Sequence, residues 1–400
     1  MIFKILNILF KCRFYLNTPK KSELVVLDDE GIEYLKYILK NRKYFTLVTR
    51  SSNLKNIYFS PKVLFFTLVH FKGDLFLAYL SALIHVIKPK IVITYVDNAS
   101  KFHYLAKLFK DKIKFLAIQN STRDLEIKIN EYVEKKNLYS FGYKQNYYVP
   151  YLFCYGQYEI DFCKKKKFKI KDFKKIGSIK VSNFKKIQKL KLLKKKKYDI
   201  CLIPDAAPNY DDYFKLKGFE QGFAQTIKYT IKFCKENNKK IIFPLKRYFK
   251  TSKTEEINFL KKYLNKMELK FLLKNKSDKS KRNKYNSYFK MYESNVTIAS
   301  ATSMLREALS LKKKIMVCNF TPTKIYDFPI NKFFFLKNPT YQEFENKLKR
   351  ILSMSEKKYF NLLGKRSNYI IEDANRVDAN DEINSYIDSI LKSDKIKKIK

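Results

Sequence analysis

Tryptophan is absent, and only 8 glycines, 10 prolines and 3 histidines occur in 400 residues. So little glycine and proline excludes collagen-like and low-complexity architectures. The six cysteines, Cys12, Cys154, Cys163, Cys201, Cys234 and Cys318, are scattered and form no CxxC pair. Neither a zinc ribbon nor a disulfide framework is therefore expected, and His70, His85 and His103 lack zinc-ligand spacing. Reduced thiols in apolar stretches suit a cytoplasmic protein. Acidic residues are also few: 38 against 84 basic ones, a formal charge of +46. Arginine supplies only 10 of the 84, and the wealth of Lys, Asn, Phe and Tyr reads as compositional background. Arg-rich recognition helices are missing, so nucleic acid is not expected as a partner. No apolar run is long enough to cross a bilayer. The N-terminal stretch Met1 to Leu16 is broken by Lys4, Lys11 and Arg13, and no small-residue cleavage site follows it. It reads either as a first element of the core or as an interfacial anchor on an anionic membrane surface.

What is present is ample core material, 46% hydrophobic and 16% aromatic. Short apolar runs alternate with longer amphipathic stretches, the pattern of parallel sheets with crossover helices. Strands are expected at Leu24–Leu27, Phe45–Thr49, Ile91–Val96 and Phe115–Ile118. The rhythm restarts at Tyr198–Ile203 and continues through Ile241–Pro244, Leu269–Leu273, Val296–Ala299, Ile315–Cys318 and Phe333–Leu336. Between the halves, residues 164–197 hold 17 lysines and one acid, Asp172. The expected organisation is a first Rossmann-like α/β domain over 1–163, a Lys-rich interdomain segment over 164–197 and a second such domain, with the helices that close the chain, over 198–400. The two would face a central cleft.

The most informative segment is Ser294 to Phe320. A buried strand runs into Ser300, Thr302 and Ser303, which open a helix. Small hydroxyl residues there cap the helix and leave backbone N–H groups open to an anion, which the helix dipole also attracts. Arg306 and Glu307 follow within the first turn or so, an arginine suited to phosphate and a carboxylate suited to a hydroxyl pair. An ordinary capped helix with a surface ion pair fits the same residues equally well. In the first half, Asp97 and Asn98 end one strand, and Asn120 and Arg123 end the next. Strand ends of this kind open onto the cleft of an α/β fold.

The string SATSMLREALSLKKKIMVCNF resembles the signature near the donor site of glycosyltransferases with the B-type fold. It looks especially like the bacterial transferases of surface-carbohydrate and capsular-polysaccharide synthesis. IVITYVDNASKFHYLAKLF, KFLAIQNSTR, CYGQYEIDF and KIGSIKVSNF are similar to segments of that family in the same order. The resemblance implies a metal-independent enzyme moving a sugar from a nucleotide-sugar donor to a glycan or lipid-linked acceptor. The nucleotide sugar is a substrate, and no cofactor is implied; no DxD motif occurs. Ser300, Thr302, Ser303, Arg306, Lys246 and Arg247 would meet the donor phosphates, and Glu307 the ribose or sugar. Asp97 would be the catalytic base, with His103 as its rival, and Asn98, Asn120 and Arg123 would line the acceptor side. Such an enzyme would work in the cytoplasm or on the inner face of the cell membrane. Two other readings remain: an enzyme similar to nucleotide-sugar 2-epimerases, and a non-catalytic polyanion-binding protein.

Overall fold

The structure is a computed structural model that describes residues 12–50, 53–124, 128, 147–190, 196–205, 218–245, 250–277 and 284–396. The chain forms two six-stranded sheets in which every neighbouring pair is parallel. The strands are β1 (Arg13–Tyr15), β2 (Leu24–Leu27), β3 (Phe45–Leu47), β4 (Asn56–Tyr58), β5 (Ile91–Thr94), β6 (Lys114–Ile118), β7 (Tyr148–Cys154) and β8 (Lys169–Lys175). In the second half they are β9 (Tyr198–Leu202), β10 (Ile241–Pro244), β11 (Lys276–Ser277), β12 (Ser294–Ala299), β13 (Lys314–Asn319) and β14 (Phe335–Lys337). The first sheet has the order β3-β2-β5-β6-β7-β8 and the second β11-β10-β9-β12-β13-β14. Strands β1 and β4 pair separately.

The inner strands are apolar on both faces because helices cover both. Val25, Leu27, Val92, Phe115 and Ala117 belong to one core layer, while Leu24, Val26, Ile91, Ile93 and Leu116 belong to the other. Alternate residues thus divide between the two layers, as the two-residue strand period requires. The helix Leu75–Ile87 covers one face. Asp74 caps it by accepting from the Leu77 N–H at 2.9 Å, and Lys88 ends it in the left-handed region, one residue before Pro89.

Three expectations are corrected here. The Lys-rich segment is not a linker: Lys169–Lys175 is the sixth strand of the first sheet. It is an edge strand, and exposed lysines protect such an edge from pairing with another chain. Second, the closing helix Ala379–Ile396 covers the first sheet rather than the second, placing Ala379, Ile383 and Ile387 against Leu24, Ile91 and Leu116. Periodicity shows that a helix has an apolar face but not which sheet receives it. Third, Leu269–Leu273 lies in a helix, Lys266–Lys274, begun by a capping box of Asn265 and Glu268. Four apolar residues fit either period, and the Asn-x-x-Glu spacing was the deciding local signal.

All six thiols are buried and unpaired. Burial pushes the pKa of Cys154, Cys163, Cys201 and Cys318 up, away from the reactive thiolate.

Candidate functional site

Each sheet has a place where chain order reverses. In the second sheet β9 starts the order, the chain runs outward to β10 and β11, and then returns to β12 on the other side of β9. The carboxyl ends of β9 and β12 therefore flank a crevice, the place where open α/β sheets bind ligands. Asp205 follows β9, and Ser300 to Ser303 follow β12. The two meet: the Asp205 carboxylate accepts from the backbone N–H groups of Ser300 and Ala301. Thr302 caps the helix Ser303–Ser310 through the Met304 N–H, and the Ser300 hydroxyl lies 3.3 Å from that of Thr226.

Arg306 and Glu307 are both buried. Arg306 reaches into the first domain, with Nη2 2.7 Å from Asp124 Oδ1 and Nη1 on Glu159 Oε1. The rings of Tyr158 and Phe328 lie 4.9 and 5.8 Å from the guanidinium carbon. Burial alone would lower the Arg306 pKa, but Asp124 and Glu159 outweigh it and push it up. Burial raises the Glu159 carboxyl against the opposing pull of Arg306. Glu307 accepts from the Ser178 hydroxyl at 2.7 Å and from the Tyr288 hydroxyl at 2.8 Å. The expected donor residues thus lie at the seam between domains, but the side chains of Arg306 and Glu307 are already committed to protein partners.

In the first sheet order reverses between β2 and β5, and Asp97 follows β5. Its Oδ2 accepts from Arg123 Nε at 2.7 Å, and its Oδ1 from the Asn120 N–H at 3.1 Å and from Arg123 Nη2. Both oxygens of the expected base are thus engaged by Arg123 and the Asn120 amide. Arg123 also bonds the Asn120 side chain. Asn98 and Asn120 are half-buried at the same edge. Arg123 and Asp124 are adjacent in sequence, so one turn ties the Asp97 edge to Arg306 across the seam.

His103 does not face the cleft. It is buried between helix and sheet, with Nδ1 3.2 Å from the Tyr148 carbonyl and its ring 4.4 Å from that of Tyr147. Burial lowers its pKa from 6.5 to about 4, against the raising effects of Tyr148 and Asp97. The neutral ring favours the fold fully above the unfolded-state value of 6.5. That stability is lost as pH falls from there to about 4, by roughly 3 kcal/mol in all. In His103→Gln, urea unfolding is expected to show a flatter decline over this window; an unchanged slope rules out the buried neutral ring as its source.

Lys246 and Arg247 lie outside the described residues. Among the described residues, no three His, Cys, Asp or Glu side chains gather as a metal set.

Several residues of the seam escaped the sequence reading. Lys180 donates to the Asn120 carbonyl at 3.2 Å, beside the rings of Tyr34 and Tyr95. Burial opposes its charge, but Glu307 and neighbouring tyrosines raise its pKa. In a chain with 74 lysines nothing distinguished it. The signal that could have found it is its place three residues after Gly177. Gly177 has φ +73°, where a side chain is strained, and Ser178 follows to meet Glu307. Gly156, at the other interdomain turn, lets the backbone of Ile370 approach to 2.8 Å from where a Cβ would stand. A small solvent-open space, about 20 Å³, remains between Thr122 and Asp124 on one side and Ala301, Arg306, Tyr326 and Phe328 on the other.

No family model matches the sequence, and no curated protein matches it. Solved structures do. The sucrose-phosphate synthase of Thermosynechococcus elongatus aligns over 93% of this chain and 99% of its own, at 9% identity and a TM-score of 0.51. This chain has the glycosyltransferase-B fold. A UDP-GlcNAc 2-epimerase from Methanocaldococcus jannaschii (12% identity, 91% and 99% covered, TM-score 0.49) is also similar. So is a glycosyltransferase from Rickettsia africae (12% identity, 94% and 100% covered, TM-score 0.48). At such identities the likeness concerns the fold, and the chemistry has to be argued from the site. In this B-type fold the two reversal points, Asp205 with Ser300 and the Asp97 edge, belong to different domains and are linked through Arg123, Asp124 and Arg306.

Proposed function

We propose that the chain transfers a glycosyl group from a nucleotide-sugar donor to a hydroxyl of a surface-glycan acceptor carried on lipid. The observation that carries the reading is the position of the Ser300–Ser303 turn: it lies at the reversal point of the second sheet, on the interdomain seam, with a guanidinium one turn along its helix. Thr302, Ser303 and the helix N-terminus receive the donor's diphosphate, and Arg306 turns to it as the seam opens. The acceptor class rests on the likeness of the Ser300–Phe320 segment to surface-carbohydrate transferases.

Anionic donor and protein carboxylates compete in this scheme. Asp205 holds the amides of Ser300 and Ala301, and Asp124 and Glu159 hold Arg306. Binding is therefore coupled to separation of the domains, and the helix dipole and Arg306 stabilise the departing diphosphate. The acceptor oxygen bonds to the sugar's anomeric carbon as the bond to phosphate breaks, and the diphosphate leaves with the electron pair. The hydroxyl proton goes to a departing phosphate oxygen, since Asp97 is engaged by Arg123. Asn98 and Asn120 orient the acceptor.

Thermal unfolding with UDP, GDP, CMP, CDP and TDP tests the reading. One nucleotide is expected to stabilise the chain selectively, by about 2.7 kcal/mol at a hundred times its Kd. Thr302→Val with Ser303→Val is expected to lose most of that shift while folding, the lost Thr302 cap costing about 1 kcal/mol. Failure of every nucleotide to shift the midpoint, or equal shifts in the double variant, overturns the donor site.

A further inference from the structure

The helix Pro61–His70 is apolar nearly all round, with the sequence PKVLFFTLVH. Such a helix ordinarily lies buried. Here only Val63 and Thr67, one turn apart, are buried. Leu64, Phe65, Leu68 and Val69 face outward, followed by Phe71 and Leu75; Leu68 is 75% exposed, Leu75 65% and Phe65 60%. Most of the exposed large apolar side chains of the described residues fall in this stretch or beside it, where Phe14 and Phe59 stack. A continuous apolar surface of this kind marks an interaction site.

The rim of the patch is basic. Residues 51–76 contain Lys55, Lys62 and Lys72 and a single acid, Asp74, which is engaged in capping the next helix. Lys88 and Lys112 approach from neighbouring elements: with His70 and Lys62 they depress the pKa of His85, after the larger effect of burial. The ring of Phe109 lies 5.9 Å from that of His70, bringing the end of the helix Ser100–Leu108 and its exposed Leu108 alongside. By contrast, the lysines of the 164–197 segment are partly neutralised: Lys174, Lys175 and Lys186 pair with Glu382, Glu372 and Asp378.

We propose that Pro61–Leu75 is a membrane-docking surface, its apolar side chains entering the interface of an anionic bilayer while the lysine rim meets the headgroups. An apolar face with basic flanks matches that medium in both hydrophobicity and charge. A second copy of the chain fits less well, because a two-fold contact sets each lysine rim against its equivalent. No helix among the described residues is long and apolar enough to cross a membrane, and the 10-residue helix lies in the interface.

The test is flotation of the full chain with vesicles of equal parts phosphatidylglycerol and phosphatidylcholine, compared with phosphatidylcholine alone. Wild type is expected to float with the anionic vesicles and less with the neutral ones. A Phe65→Ser, Leu68→Ser, Leu75→Ser variant is expected to lose about tenfold or more in partitioning with an unchanged melting temperature. Lys62→Glu with Lys72→Glu, at exposed positions, weakens flotation independently, and more so at low salt. Absence of wild-type flotation, or unchanged flotation of both variants, overturns the proposal. So does a wild-type dimer in solution that the serine variant converts to a monomer, which would make the patch a contact between copies.

Discussion

Arg306→Met is expected to destabilise the protein by about 3–5 kcal/mol, because it takes the guanidinium from two buried carboxylates, of which Asp124 keeps Lys128 at 3.4 Å. Asp124 Oδ1 lies 2.7 Å from the guanidinium, and Glu159 is as deeply buried as Arg306, each with 1% of its side chain exposed. Neutralising the partners as well, with Asp124→Asn and Glu159→Gln, is expected to restore most of the loss, since no uncompensated charge then remains. Denaturant unfolding of the single and triple variants makes the comparison. Because the partners come from different domains, the single variant should also separate them, seen as a larger radius of gyration in solution scattering. Wild-type stability in Arg306→Met would mean that the guanidinium does not hold the seam. Arg306→Lys should fall between, since an ammonium cannot serve two carboxylates in the planar fork geometry.

Replacing Asp97 is the second large effect. Asp97 is fully buried and Arg123 nearly so, and the Asp97→Ala change takes the carboxylate from that arginine, which keeps the Asn120 side chain, at a cost of about 3–5 kcal/mol. Asp97→Asn keeps one acceptor oxygen and should cost about 1.5–3 kcal/mol, the range for a hydrogen bond to a charged group. A double-mutant cycle with Arg123→Met should show coupling of about 0.5–3 kcal/mol. A catalytic base behaves differently: its loss removes turnover and leaves stability and the cycle untouched. Full stability of Asp97→Asn with abolished transfer would return Asp97 to the role first expected of it.

Several elements could be read directly. The strands at Leu24, Ile91, Phe115, Ile241, Val296 and Ile315 stand where apolar runs are bounded by turn residues, and the helix after Thr302 stands where a hydroxyl cap precedes an apolar period. These signals are local, carried by residues a few positions apart. Leu269–Leu273 failed because four apolar residues satisfy both periods, although Asn265 and Glu268 carried the correct sign. His103 failed for another reason. An imidazole six residues past Asp97 is near the strand end in sequence, but its helix turns it toward Tyr147 and the sheet.

The sequence by itself determined that there are two α/β units and that a strand, a hydroxyl-rich turn and a helix follow one another over 294–310. Only the tertiary structure decided what those side chains meet. Arg306 finds Asp124 at a separation of 182 residues, and Glu307 finds Ser178 at 129. Helical period places Arg306 and Glu307 in one turn, but sheet order and domain packing select their partners. Those depend on apolar surface shared by the whole core, which specifies how helices cover sheets without marking in any short segment which charges will be brought together. The same packing leaves Leu64, Phe65 and Leu68 uncovered, where an apolar period alone would have placed them inside.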